Sequence, residues 1–270
     1  MDKITNSSDF MNVVSYLAPN WMDYYQTVAR LISRSLRCDI QFRTYDRDPL
    51  IDLQENQVDL AFICGLPFIR HDRIAPEQFS AIAAPVMQAE RYQNRPVYFS
   101  DIIVQTDSPF QTFADLAGST VCYNDPGSNS GYYLLRYRLL QEQQTRFFSY
   151  VVQSGSHQRS IRWIIEGKAD CAAIDSTVLE QELRVFPELA QQIRIVESSN
   201  PCPMPPIVAA QHLGKDLIDQ IQAALLQPDP ELKATMAQMN VKRYAVVNTQ
   251  DYDAIAQLYD KVTRSCFSQL

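Results

Sequence analysis

Short apolar runs alternate with stretches of helical periodicity along most of this chain, and that alternation restricts the fold more than any other feature. Residues 12–17 (NVVSYL) read as a strand, 20–36 (NWMDYYQTVARLISRSL) place apolar side chains at helical spacing, and 39–45 (DIQFRTY) read as a second strand. Residues 49–56 read as a short helix and 58–64 (VDLAFIC) as a buried strand. A β-α-β-α-β order calls for a parallel or mixed sheet covered by helices, because parallel neighbours need a crossover on one face.

The pattern resumes at residue 97. VYFSDIIVQ (97–105) and STVCYND (119–125) read as strands, FFSYVVQSGSH (147–157) as a strand then a loop, and DCAAIDS (170–176) and IRIVES (193–198) as strands again. YYLLRYRLLQEQ, SIRWIIEGKA and TVLEQELRVFPELA read as the intervening helices. NPCPMPP (200–206) is a proline-dense link that cannot continue a helix. IVAA (207–210) continues as a strand, and the remainder reads mostly as helix: DLIDQIQAALL, ELKATMAQM and DYDAIAQLYDKVTRSCF. A chain of 270 residues is near the size at which one core divides. The expected fold is therefore α/β in two lobes, 1–100 with 207–270 and 105–200, with crossings near 99–105 and 199–207.

Composition excludes several function classes. A net charge of −7 argues against a broad nucleic-acid surface but leaves room for a locally positive pocket. No run approaches the roughly 18 apolar residues of a membrane helix. The segment MDKITNSSDFMNVVSYL lacks the charged-then-apolar pattern of a signal peptide, so either a cytoplasmic location or loss of a signal fits it. None of the six cysteines forms a C-x-x-C; small buried hydrophobes are the plain reading, with a disulfide involving Cys38, Cys202 or Cys266 left open.

The chain uses only seven glycines, and two of them fall in NDPGSNSG (124–131), between a strand and an apolar helix. The first turn of a helix presents free N–H groups and a partial positive charge. Ser128, Asn129 and Ser130 add side-chain donors, and Gly127 and Gly131 remove the Cβ atoms that would hold a ligand off the backbone. This chemistry suits a small tetrahedral anion bound without a lysine. A capped turn with no ligand uses the same residues. It is not a phosphate-binding P-loop, whose lysine is missing.

A second strand-to-helix loop, QSGSHQRSIRW (153–163), repeats the chemistry with Ser154, Gly155, Ser156 and His157, one of three histidines. His157 reads either as a structural hydrogen-bonder or as a donor to an oxyanion. Both loops leave the carboxyl ends of their strands, where open α/β sheets bind ligands. Asp175 ends the next strand, either as a helix N-cap or as a group that orients His157 or meets a polar part of the ligand; it should lie beside an anion, not against it.

DPGSNSG, SGSH and ADCAAIDS at this spacing, with VDLAFICG upstream and VYFSDIIVQTDSPFQTFADLAG between, resemble the phosphate/phosphite/phosphonate-binding proteins of ABC importers over most of residues 10–210. The resemblance implies a type II periplasmic-binding-protein fold: two lobes, each a mixed sheet flanked by helices, with the ligand cleft between them. It implies that Ser128, Asn129 and Ser130, with Gly131, grip the oxyanion, that His157 joins them, and that aromatic contacts fall on Tyr98 in the crossing strand and Tyr45 of the first lobe. It implies an ABC permease as partner, and a periplasmic or cell-envelope location, with the cytoplasm as the alternative. The expected protein is a monomer that needs no cofactor, metal or nucleic acid. Two departures stand out. Asn129 replaces the family's middle serine or threonine. The acidic groups that hold the amine of aminoalkyl phosphonates correspond to Thr177 and the neighbourhood of Met204 and Pro205, which argues against such a ligand. The alternatives on the same fold are a ligand sensor or a cytoplasmic lyase or thiamine-pathway-like enzyme, with His157 and Asp175 as acid and base and Cys64 or Cys122 as nucleophile.

Overall fold

The computed structural model describes residues 10–45, 47–142, 146–265 and 270. Strand β1 (Phe10–Ser15) leads into α1 (Met22–Leu36), whose Tyr24, Tyr25, Val28, Leu31 and Ile32 fall on one face and are buried there. Helix α1 returns the chain to β2 (Asp39–Thr44), parallel to β1 with Phe10 opposite Asp39 and Ser15 opposite Thr44. After α2 (Pro49–Gln54), β3 (Leu60–Phe62) pairs with the other side of β1.

Next come two elements the sequence did not announce. Helix α3 (Gly65–Ile74) carries Pro67 in its first turn, where a missing N–H costs nothing. Strand β4 (Phe79–Met87, FSAIAAPVM) is alanine-rich and contains Pro85, so it lacks the β-branched alternation that marks a strand.

The single expected strand over 97–105 is two. β5 (Val97–Tyr98) belongs to a crossing ladder and β6 (Ser100–Gln105) to the second lobe; they are separated by Phe99. That lobe continues through β7 (Thr120–Tyr123), α4 (Leu134–Glu142), β8 (Tyr150–Gln153) and α5 (His157–Ile165). It ends with β9 (Cys171–Asp175), α6 (Ser176–Val185) and β10 (Ile193–Ser198). The return crossing is β11 (Cys202–Pro203), which pairs antiparallel with β5 through Cys202 opposite Tyr98. Then β12 (Ile207–Ala210), α7 (Lys215–Leu226), α8 (Pro230–Gln238), β13 (Val241–Val246) and α9 (Asp253–Arg264) complete the first lobe. Strand β13 falls where only helix was expected; Lys242 and Arg243 obscure its period, which suits its place at a sheet edge.

The first sheet runs β13-β4-β12-β3-β1-β2 and the second β10-β6-β9-β7-β8. Both are mixed. In the first, β12 is antiparallel to β3 and β4; in the second, β7 is parallel to β8 and β9 while β6 is antiparallel to β9. Alternate residues of the second sheet feed two cores: Ile102, Val104 and Val121 pack with Leu135 and Leu139 of α4, whereas Ile103 and Cys122 pack with Ile161 and Ile164 of α5. The lobes touch directly. Trp21 Nε1 donates to the Thr177 carbonyl (3.3 Å), Asn20 Nδ2 to the Val178 carbonyl (3.1 Å), and the Tyr92 hydroxyl to Glu180 (2.6 Å). Cys38 and Cys202 carry free thiols, and Cys266 lies outside the described residues.

Candidate functional site

The turn after β7 is built by short-range hydrogen bonds. The Asp125 carboxylate accepts from Gly127 N (2.6 Å), the Asp125 carbonyl from Ser128 N (3.1 Å), and Ser128 Oγ caps the helix by accepting from Gly131 N (3.0 Å). The helix opens as a π-helical turn over Asn129–Tyr133 before α4 begins. This wider opening leaves more N–H groups without internal partners. The Ser130 N–H meets no acceptor among the described residues. The Asn129 N–H reaches the Cys64 sulfur, which the Leu66 N–H of α3 also reaches, so helix N-termini from the two lobes converge there.

The second loop is fastened to the first. Ser154 N donates to the Tyr123 carbonyl (2.7 Å) and Gly155 N to that of Asn124 (3.0 Å), with Gly155 at φ +94°. His157, the first residue of α5, is thereby placed with Nε2 3.0 Å from Ser130 Oγ. Burial lowers its pKa to about 3, so the ring is neutral and offers one donor and one acceptor. Its Nδ1 is buried without a partner. Gly131 is required by close approach: a Cβ there would lie 1.9 Å from Asn124 Oδ1 and 3.0 Å from His157 Cε1. Asn124 Oδ1 is also buried and unpartnered. Sequence reasoning quoted Asn124 inside the motif but passed over it; its signal was its position at the strand end, before two glycines.

The other expected residues divide. Asn129 is 0% exposed and its Nδ2 donates to the Tyr98 hydroxyl (2.8 Å), leaving Oδ1 buried without a partner. Tyr98 is only 1% exposed, so it reaches the site through Asn129. Asp175 caps α6: Oδ1 accepts from Thr177 N (2.8 Å) and Thr177 Oγ1 (2.7 Å). Burial raises its pKa to about 6 against those stabilising bonds. It does not orient His157, whose free nitrogen has no partner, and this corrects that reading of Asp175. Tyr45 belongs to a separate cluster on the first lobe, under the Arg47 guanidinium (4.6 Å to the ring centre) and near Tyr16 (6.2 Å between rings). Among the described residues its contacts stay in that lobe. Two arginines that sequence reasoning missed flank the loops: Arg159 donates to the Ser154 carbonyl (2.9 Å), and Arg70 of α3 reaches to 3.7 Å from where a Gly127 Cβ would stand.

The arrangement can donate neutral hydrogen bonds at a buried helix mouth, with two guanidinium groups nearby. It is poorly suited to nucleophilic chemistry. Burial raises the Cys64 pKa and pushes that of Cys122 up to about 11, and the Ser130–His157 pair has no carboxylate behind the imidazole.

The model of a family described as "ABC transporter, phosphonate, periplasmic substrate-binding protein" matches residues 12–252. A curated relative, the phosphonates-binding periplasmic protein of Escherichia coli strain K12, is 23% identical over 233 residues; the match spans 83% of this chain and 66% of the relative's length. Among solved structures, PhnD1 from Prochlorococcus marinus in complex with methylphosphonate is similar at a TM-score of 0.83 with 16% identity, covering 95% of this chain and 99% of that one. A binding protein component of an ABC phosphonate transporter from Pseudomonas aeruginosa gives a TM-score of 0.81 with 17% identity, covering 94% of this chain and 87% of that one. The fold is that of type II periplasmic binding proteins. By its match over most of its length, the chain belongs to the family of periplasmic substrate-binding proteins of phosphonate ABC transporters.

Proposed function

We propose that this protein is the substrate-binding component of an ABC importer, working in the periplasm or cell envelope, and that its cleft closes on a small phosphonate-class oxyanion. One observation carries the reading: the uncommitted Ser130 N–H stands at a helix N-terminus beside the Ser130–His157 hydrogen bond, and the Asn124 side-chain amide, buried against Gly131, has no partner there. A buried polar group without a partner costs about 1–3 kcal/mol, so two together point to a partner that arrives from outside.

In this reading the second lobe binds first. The Ser130 N–H and hydroxyl donate to the anion, the His157 Nε2–H holds that hydroxyl in place, and the Asn124 amide turns its nitrogen toward the anion. The anion replaces its hydration shell with fixed dipoles, and the helix N-terminus adds its partial charge. The first lobe then closes through Asn20 and Trp21, which bond to the first turn of α6. Closure follows from the ligand's greater affinity for the closed state, which is the form a permease would read.

Calorimetric titration with phosphate, phosphite, methylphosphonate, 2-aminoethylphosphonate and sulfate tests the proposal. A saturable phosphonate isotherm that Ser130→Ala weakens supports it. Binding that is indifferent to Ser130→Ala and His157→Ala contradicts the placement of the site, and turnover of any of these compounds favours the enzyme alternative.

A further inference from the structure

Away from the oxyanion loops, the seam between the lobes opens into a groove of about 320 Å³, a size that holds a small molecule. Asn20, Asp23 at the start of α1, and Thr235 and Gln238 of α8 wall it on the first lobe; Gln181 and Arg184, one turn apart on α6, wall it on the second. None of these residues belongs to the two anion-binding loops.

Two opposite charges line this groove without charged partners. Arg184 forms no ion pair among the described residues: its guanidinium donates to the Gln181 side chain and, across the seam, to Met239 Sδ (3.4 Å), a weak acceptor. Partial burial lowers its pKa, with no carboxylate to offset the effect. Asp23 likewise forms no ion pair among the described residues, with Arg184 or with any other cation, so the groove holds the two charges apart. Asn20 adds an unfinished acceptor. Its Nδ2 donates to the Val178 carbonyl (3.1 Å) and to Glu182 Oε1 (3.1 Å), which fixes the orientation of the amide and leaves Oδ1 buried without a donor. A simple anion would suit Arg184 and be repelled by Asp23; a simple cation would meet the reverse. A guest carrying both charges satisfies both.

We propose that this groove is a second ligand site, for a zwitterion of the amino-acid class, with its carboxylate on Arg184 and its ammonium at Asp23 and the Asn20 amide oxygen. A guanidinium takes a carboxylate through two parallel hydrogen bonds, and the three N–H donors of an ammonium suit a carboxylate and an amide oxygen together. The walls belong to different lobes, and Asn20 itself bonds across the seam to α6. A guest here therefore binds the closed form better than the open one, and by reciprocity a ligand that closes the oxyanion cleft strengthens it. That coupling rests on the oxyanion reading above; the site itself does not.

The test is an NMR titration of the labelled full chain with L-glutamine and with 4-aminobutyrate, beside their N-acetyl forms, which keep the carboxylate and lose the ammonium. The backbone signals of Arg184 and Gln238 should move saturably, with a Kd below about 1 mM for at least one zwitterion. Acetylation should weaken that binding by at least about 10-fold, the scale of a lost hydrogen bond to a charged group. Arg184→Gln and Asp23→Asn, both at exposed positions, should each do the same. Saturating methylphosphonate should tighten the zwitterion by about 5-fold or more. Absence of saturable movement with either zwitterion, equal binding of the acetylated forms, or binding indifferent to Arg184→Gln overturns the site and leaves the oxyanion reading standing. Movement of the groove signals with methylphosphonate alone also overturns it, by assigning the groove to a simple anion. Zwitterion binding that methylphosphonate leaves unchanged overturns the coupling, and stationary Ser130 signals with methylphosphonate overturn the oxyanion reading but not this site.

Discussion

On the first lobe the polar groups at the cleft edge satisfy one another. The Tyr16 hydroxyl donates to Asp52 (2.7 Å), Asp52 pairs with Arg47, and Arg47 lies over the Tyr45 ring. Burial and Asp52 together push the Tyr16 phenol far above its ordinary range. On the second lobe the reverse holds: Asn124 Oδ1, Asn129 Oδ1 and His157 Nδ1 are buried without partners around one helix opening. The first lobe carries formal charge that is already neutralised. The second carries neutral dipoles that are not. An anion gains little by competing with a finished ion pair and much by meeting the free Ser130 N–H and an Asn124 amide that can turn its nitrogen outward, so the second lobe is where an anion should be held and the first where closure is set.

The largest effect should come from Gly131→Ala. Its Cβ would displace the Asn124 amide and crowd His157, and overpacking of this kind costs about 1–3 kcal/mol. Methylphosphonate affinity, measured by calorimetry, should fall by up to about 100-fold, because the displaced Asn124 amide and crowded His157 no longer meet the charged ligand. Unchanged affinity would break the comparison at its centre. Ser130→Ala should follow, weakening binding by about 1–3 kcal/mol through loss of a hydrogen bond to a charged group.

The two buried titratable groups give a pH signature of opposite signs. His157 titrates at about 3 in the folded chain and at about 6.5 when unfolded. Its contribution to stability is therefore complete above the unfolded value and lost as pH falls. Between pH 7 and pH 5 the loss should be about 2 kcal/mol. Asp175 titrates at about 6 when folded, above its unfolded value of about 3.9. Ionising it costs stability as pH rises through that window, so acidification to pH 5 returns about 1 kcal/mol. Urea unfolding at both pH values should show His157→Gln losing less stability on acidification than wild type, and Asp175→Asn losing more. Parallel behaviour of all three would mean that His157 is not buried as the structure shows.

Much of the fold was legible because its signals are local. Apolar periodicity marked α1, β1, β2 and β3, and the strand ends of the second lobe were marked by Ser, Asn and Gly clusters. What escaped was set by tertiary position. Strand β4 is buried between β12 and β13, so alanine and even Pro85 serve there. The split at Phe99 depends on β11, about a hundred residues away, pairing with β5. At the site, Ser128, Ser130 and His157 were readable as donor-rich residues at strand-to-helix turns. Tyr98 behind Asn129, Asp175 bound to Thr177, and the uncommitted Asn124 amide were not, because which hydrogen bonds are already used depends on the packing and not on residue type.

Smaller effects sharpen the contrast. Tyr98→Phe removes only the hydroxyl that meets Asn129 and should lower phosphonate affinity by about 1 kcal/mol, the net worth of one hydrogen bond, with little change in melting temperature. A large loss of melting temperature would reassign the hydroxyl to core stability. Tyr45→Phe, on the first lobe, should change affinity by less than about 0.5 kcal/mol if Tyr45 stays in its cluster with Arg47 and Tyr16 when ligand binds. An effect as large as that of Ser130→Ala would place the ligand against both lobes equally.

The most direct test is an amide-resolved NMR titration of the labelled protein with methylphosphonate. The account predicts that the Ser130, Gly131 and His157 backbone resonances shift furthest and saturate together. Stationary signals at those positions, with movement instead around Tyr16, Tyr45 and Asp52, would contradict it.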